Sequence, residues 1–170
     1  MRKVKLFVAT SLDCYIAKKD DNIDWLFTGG DYGYDDFYSS IDTTLTGYLT
    51  YKQVLGFGVP FPYPDKTNYI FSRNHKQEDN NPVIFVSTDP AEFVRKLKEE
   101  DGKDIWLVGG GQINTILFNA NLIDEMIISI HPVILGEGIP LFAGKADFKQ
   151  FTLADTKTLD NGLLQVKFLL

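Results

Sequence analysis

Apolar residues recur along this chain in short β-like runs separated by polar segments, and helical spacing enters only in places. Residues 4–10 are β-rich and alternate imperfectly, which predicts a buried strand. Residues 11–22 are polar and loop-like, interrupted by Tyr15-Ile16-Ala17, and Asp24-Trp25-Leu26-Phe27 forms an apolar island before Gly29-Gly30-Asp31. A short helix is expected over 34–41, with Phe37 and Ile41 on one face. A strand over 43–46 ends at Gly47, and a helix follows over 50–55 with Thr50 as its N-cap. Residues 56–64 carry three prolines and two glycines and read as loop. Strands follow over 67–71 and 83–86.

The clearest helix spans 89–102: Asp89 caps, Pro90 takes the first helical position, Glu92 completes a capping box, and Gly102 supplies the stop. A strand over 105–108, a helix over 112–120 and a strand over 125–131 come next. Strands over 152–159 and 163–169 are joined through Asp160-Asn161-Gly162, a hairpin signal. Strands alternating with helices, closed by a hairpin, predict an α/β fold. Its sheet would be mixed and mostly parallel, with helices on both faces and an antiparallel edge. The 170 residues fit one domain over 1–170.

Composition narrows the function. The net charge of −6 and the lack of a basic stretch argue against nucleic-acid binding. No apolar run reaches the length of a membrane span, and Met1-Arg2-Lys3 leads into a strand rather than a signal-peptide core. One cysteine, Cys14, allows no internal disulfide and fits the cytoplasm. Cys14 has no evident His partner, and the isolated His75 and His131 make no metal site.

The segment Val108-Gly109-Gly110-Gly111-Gln112 places three glycines between a strand and a helix. Such a turn offers bare backbone N–H groups at a helix N-terminus, a seat for phosphate. A dinucleotide fingerprint G-x-G-x-x-G fails at its third glycine, where Asn114 stands. A ligand-free βα turn accounts for the glycines equally well.

Segments throughout the chain resemble the dihydrofolate reductase-like superfamily, and its stand-alone branch similar to the RibD C-terminal (riboflavin-biosynthesis reductase) domain most of all. They are Ala9-Thr-Ser-Leu-Asp13-Cys-Tyr-Ile16-Ala17, Ile23-Asp24-Trp25-Leu26, Asp36-Phe37-Tyr-Ser-Ser-Ile-Asp42, and Leu45-Thr-Gly47-Tyr48-Leu49-Thr50-Tyr51. Phe71-Ser72-Arg73, Leu107-Val-Gly109-Gly110-Gly111, and Pro132-Val-Ile-Leu-Gly136-Glu-Gly138-Ile-Pro-Leu141-Phe142 complete the set. The resemblance implies a three-layer fold that binds NADPH at the carboxyl edge of its sheet. Gly47, Tyr48, Leu49 and Thr50 would flank the pyrophosphate, and Phe71, Ser72 and Arg73 would lie at the adenosine 2′-phosphate. Val108, Gly109, Gly110, Gly111, Gln112 and Ile113 would border the phosphates and nicotinamide, with Gly109-Gly110 a cis peptide. Ala9, Ile16 and Ala17 would line the nicotinamide, although core packing explains them too. The family commonly has Arg where this chain has Tyr48, so NADH use is open beside NADPH.

The resemblance implies that Trp25 stands near substrate, and that a carboxylate on the first helix assists protonation. Asp36 is the nearest candidate, with Asp35 and Asp31 behind it. Phe37 and Glu137 are further substrate-side candidates, and Asp13 should organise its own loop through side-chain-to-backbone bonds. The implied activity is reduction of a small heterocyclic or ribosylamine-type compound, as in 5-amino-6-(5-phosphoribosylamino)uracil reductase. No zinc deaminase half is expected within these 170 residues, which have neither the length nor the cysteines for its motif. The alternatives are a folate or pterin reductase, a catalytically silent nucleotide-binding protein, and a cofactor-free structural dimer. A homodimer is expected from the family.

Overall fold

The computed structural model describes residues 1–28, 30, 32–58, 61–74 and 83–170. Asp31, His75 and part of the 56–64 loop lie outside the described residues. The main sheet has eight strands in the order β5-β4-β3-β6-β1-β7-β10-β9. Its members are β1 (Val4–Thr10), β3 (Ile41–Gly47), β4 (Thr67–Phe71), β5 (Ile84–Val86), β6 (Asp104–Gly109), β7 (Glu125–Ile130), β9 (Thr152–Thr158) and β10 (Leu164–Leu169). The pairings from β5 through to β7 are parallel, and β10 and β9 add antiparallel at the far edge. The expected hairpin turn joins them, with Gly162 at φ 84° donating its N–H to Leu159.

Side-chain alternation sorts the two faces. Leu6, Ile105 and Leu107 point into one core, which α3 (Pro90–Glu99) and α4 (Gly111–Asn119) cover through Val94, Leu97, Ile113, Leu117 and Phe118. Phe7, Trp106 and Val108 point the other way, against Phe37 of α1 (Tyr34–Ser39). Tyr51 of α2 (Tyr48–Gly56) covers Ile70 on that second face. The result is the expected three-layer arrangement.

The boundaries move in four places. Ile41 belongs to β3 and not to the first helix, because its fully buried side chain fills the core beside Phe37 and Trp106. The second helix begins at Tyr48 with Gly47 as N-cap, so Thr50 lies inside the first turn and caps nothing. The third helix stops at Glu99, ahead of Gly102, whose φ of 155° instead fits it beside the Arg2–Asp42 ion pair. Tyr15–Ala17, expected as a break in a loop, forms β2 and pairs with β8 (Ile139–Pro140). That pairing requires Gly138, since a Cβ there would lie 2.3 Å from the Ala17 carbonyl oxygen.

Candidate active site

Two helix starts meet at the carboxyl edge of the sheet. The connection leaving β3 runs through α2 to β4 on one side, while that leaving β6 runs through α4 to β7 on the other. Diverging connections leave a crevice between adjacent strand ends, the position where open α/β sheets take ligands. Gly47 and the Gly109-Gly110 peptide face each other across it: a Cβ on Gly47 would stand 3.7 Å from both the Gly109 oxygen and the Gly110 nitrogen. The Gly109-Gly110 bond is cis, as the family resemblance implies. Neither α2 nor α4 has a side-chain cap or an acidic residue in its first turn. By contrast, α3 has both, with Asp89 accepting from the Glu92 N–H at 2.8 Å. At neither helix start does a capping or acidic side chain answer the partial positive charge of the terminus.

The structure brings Ile16, Gly47, Thr50, Gly109 and Gly110 together at this crevice. A Cβ on Gly110 would meet Thr50 Oγ1 at 2.9 Å and Ile16 Cδ1 at 3.6 Å, so glycine keeps the space open. Thr46 Oγ1 is buried at the end of β3, and Asn114 Oδ1 is buried beside Gly109, each without a hydrogen-bond partner among the described residues. Ser72 and exposed Arg73 leave β4 directly beside Gly47, whose register partner is Phe71. The Phe71 side chain itself is buried against Phe93, so only its backbone can border a ligand. Leu49 and Gln112 are exposed in the two first turns, whereas Ile113 and Ala17 are buried. Val108 packs on the α1 face with the Trp106 cluster. Gly111 serves packing: a Cβ would fall 2.3 Å from the Pro140 carbonyl oxygen. Asn114, which breaks the dinucleotide fingerprint, holds the Leu141 carbonyl through Nδ2 at 2.9 Å.

A cleft of about 500 Å³ opens on the α1 face, next to this edge. Phe7 and Ala9 of β1 form its floor, Leu26, Phe27 and Thr28 one wall, and Tyr32, Tyr34 and Asp35 another. Ser129, His131 and Leu163 close it. His131 is 3% exposed, and its Nδ1 lies 3.2 Å from the Ser129 carbonyl oxygen. Burial pulls its pKa below the ordinary value, with the Ser129 and Thr10 backbone only partly opposing, so the ring is neutral. Burial, followed by the charges of Asp65 and Asp35, raises the Tyr34 phenol and keeps it protonated.

The substrate-side expectations divide. Trp25 meets His131 edge-on at 5.2 Å between ring centroids, and its Nε1 is buried without a partner among the described residues. Asp35 faces the cleft. Asp36, the expected acid, instead lines a second concavity with Lys5 and Lys167, because adjacent helix positions point about 100° apart. Phe37 is buried, stacked on Phe7 at 4.3 Å beneath the floor. Glu137 is exposed and ion-paired with Lys19 at 2.9 Å, and lines neither concavity. Asp13, expected to organise its own loop, instead ties that loop to a distant one, accepting from the Leu135 and Gly136 N–H groups at 3.2 and 2.8 Å and from the Ser11 hydroxyl at 2.6 Å. His131, Phe7, Phe27 and Tyr34 were not singled out as ligand contacts by sequence reasoning. The one available signal was His131 directly after an apolar strand, at the carboxyl edge.

Comparison with known proteins agrees with this fold. The model of the RibD C-terminal domain family matches residues 63–165, more than half of the chain. The uncharacterized protein YwjB of Bacillus subtilis (strain 168) is 42% identical over 159 residues, covering 92% of this chain and 91% of its own. A crystal structure from Shewanella sp. PV-4, of a protein whose name ties it to riboflavin biosynthesis, superposes with a TM-score of 0.87 at 26% identity and covers 98% of both chains. Dihydrofolate reductase from Enterococcus faecalis, solved with NADP(H) and RAB-propyl, shares the fold with a TM-score of 0.72 at 14% identity, over 98% of this chain and 95% of its own. With the family match and the identity to YwjB in hand, the chain belongs to the RibD C-terminal domain family.

Proposed function

We propose that this protein is an NAD(P)H-dependent reductase that delivers hydride to a small heterocyclic or ribosylamine-type substrate held in the Phe7–His131 cleft. The observation that carries this reading is the convergence of two uncapped helix N-termini on the Gly47 and Gly109-Gly110 crevice. Backbone N–H groups of Tyr48, Leu49 and Thr50 on α2, and of Gly111, Gln112 and Ile113 on α4, would hold the pyrophosphate. The Thr46 and Asn114 oxygens, without a partner among the described residues, fit a polar ligand there. Ser72 and Arg73 would take the adenosine 2′-phosphate, for which a guanidinium fork is well shaped. Ala9, Ile16 and Ala17 would border the nicotinamide. The NADP(H) named for the Enterococcus reductase supports the choice of cofactor on this shared fold.

When bound, the reduced nicotinamide supplies the hydride. The chain's own part is positioning, exclusion of water and proton supply. Phe7, Phe27 and Tyr34 would seat a flat ring over Ala9. Asp35 is the carboxylate among the cleft's described lining residues, and we assign to it, in place of Asp36, the relay of a proton from water to the substrate's basic nitrogen.

Titrating the purified protein with NADPH and with NADH, then following NADPH oxidation over a panel of pterins, pyrimidine ribosylamines and quinones, tests this. Binding with turnover of one class is the expected result. Binding without turnover of any favours the silent nucleotide-binding protein, and absence of binding sinks the reductase reading.

A further inference from the structure

The charge inventory of the cleft narrows what it can hold. Among its described lining residues there is no Lys or Arg, and Asp35 is the one carboxylate. His131 sits buried between the Trp25 and Phe27 rings, at 5.2 and 5.0 Å, a setting that favours the neutral imidazole. A phosphate dianion placed here would lose its hydration, find no countercharge, and face the Asp35 carboxylate. The adjoining concavity shares Phe7 and carries Lys5, Lys157 and Lys167, but Asp36, Glu125 and Asp155 line it too. Within it Lys5 is paired with Asp104 at 2.7 Å and Lys167 with Glu125 at 2.9 Å. Beside the 26–28 wall, Lys18 is paired with Asp24 at 2.6 Å. The cations flanking the cleft are thus largely neutralised.

We infer that the cleft takes an unphosphorylated flat heterocycle and discriminates against its phosphate esters. The inference rests on the cleft being the substrate side of the proposed reductase. It narrows that reading, since the phosphoribosylamino compounds suggested by family resemblance carry a phosphate. Recognition would come from ring stacking on Phe7, Phe27 and Tyr34, and from hydrogen bonds to Asp35 and the Tyr34 hydroxyl.

Two matched pairs test it: riboflavin against riboflavin 5′-phosphate, and neopterin against neopterin phosphate. Each is titrated with and without saturating NADP⁺, so that the helix N-termini cannot take up the ester. In each pair the parent compound should bind about tenfold more tightly or better, the size of one missing charge-assisted contact. Thr28→Arg places a cation at the exposed rim of the cleft and should narrow that gap. Lys157→Glu should leave it unchanged. An ester that binds the wild type as tightly as its parent, or failure of both parent compounds to bind, would overturn the inference. NADPH binding is measured separately: its loss alone would remove the reductase reading and leave the discrimination standing.

Discussion

Gly111 tolerates no side chain, because a Cβ would lie 2.3 Å from the Pro140 carbonyl oxygen and 3.1 Å from the Ala143 Cβ. Gly111→Ala should therefore destabilise the fold by about 1–3 kcal/mol, the usual range for overpacking, as read from urea denaturation. Gly56→Ala is the matched control. Nothing lies within 4 Å of a Cβ there, and the site is the last residue of α2, so that variant should be neutral or slightly stabilising. Equal losses at the two sites would show that the close approach at Gly111 is not what requires glycine. His131 gives a pH prediction. Its folded pKa is below the unfolded value, so below about pH 6.5 the unfolded chain binds a proton that the native ring resists. Stability is thus fully present above that pH and falls on acidification through the window beneath it, by at most ~1.4 kcal/mol per pH unit. His131→Asn should flatten the profile between pH 6.5 and 5, ahead of the carboxylates; an unchanged slope would rule out a buried neutral ring. At this scale the sequence showed glycines but not their separate jobs. Gly109-Gly110 borders the crevice while Gly111 packs on the β8 segment, and the difference depends on an oxygen 29 positions away in the chain.

The start of α2 carries opposing demands on stability and binding. Leu49 is 69% exposed in its first turn, where no acidic residue is present. Leu49→Glu would complement the helix dipole and stabilise the free protein by about 0.3–1 kcal/mol. The same carboxylate would repel a pyrophosphate at that terminus and should weaken NADPH and NADH binding alike, by roughly tenfold. A stability gain with unaltered nucleotide binding would place the ligand elsewhere. Arg73→Ala, at the end of β4, should act differently: NADPH weakens by about tenfold while NADH hardly changes, because the guanidinium answers only the 2′-phosphate. A cofactor ratio equal to that of wild type would remove Arg73 from the site. Element identity was readable wherever period and punctuation agreed, as in α3 with Asp89, Pro90 and Glu92. It failed at α2, since Thr50 resembles an N-cap while the helix start is set by the extended Gly47 at the end of β3. It failed also at β2 and β8, which are too short to show a period and exist by pairing with each other.

Parallel packing of the strands from β5 to β7 brings four strand ends that bear candidate cofactor residues to one edge: Ala9, Gly47, Phe71 and Gly109. Alternation of strands and helices made a parallel sheet readable in the sequence. The order β3-β6-β1 was not, because the return of β6 between β3 and β1 is a property of crossovers and not of any segment. That insertion creates the crevice, and it sets Ala9 on the strand next to Gly109. The cleft was illegible for the same reason, being assembled from residues near 7, 27, 35, 131 and 163 that share no local pattern. A crevice so distributed exists only in the folded chain, so a nucleotide that binds it must stabilise the whole molecule by mass action. At a hundredfold excess over Kd, NADPH should add about 2.7 kcal/mol and raise Tm by roughly 5–10 °C. The shift should grow with ligand concentration, shrink in Leu49→Glu, and shrink in Arg73→Ala for NADPH but not for NADH. A cofactor-free structural dimer would show no shift with either nucleotide. Binding to a surface patch outside the crevice would give shifts that both variants leave intact.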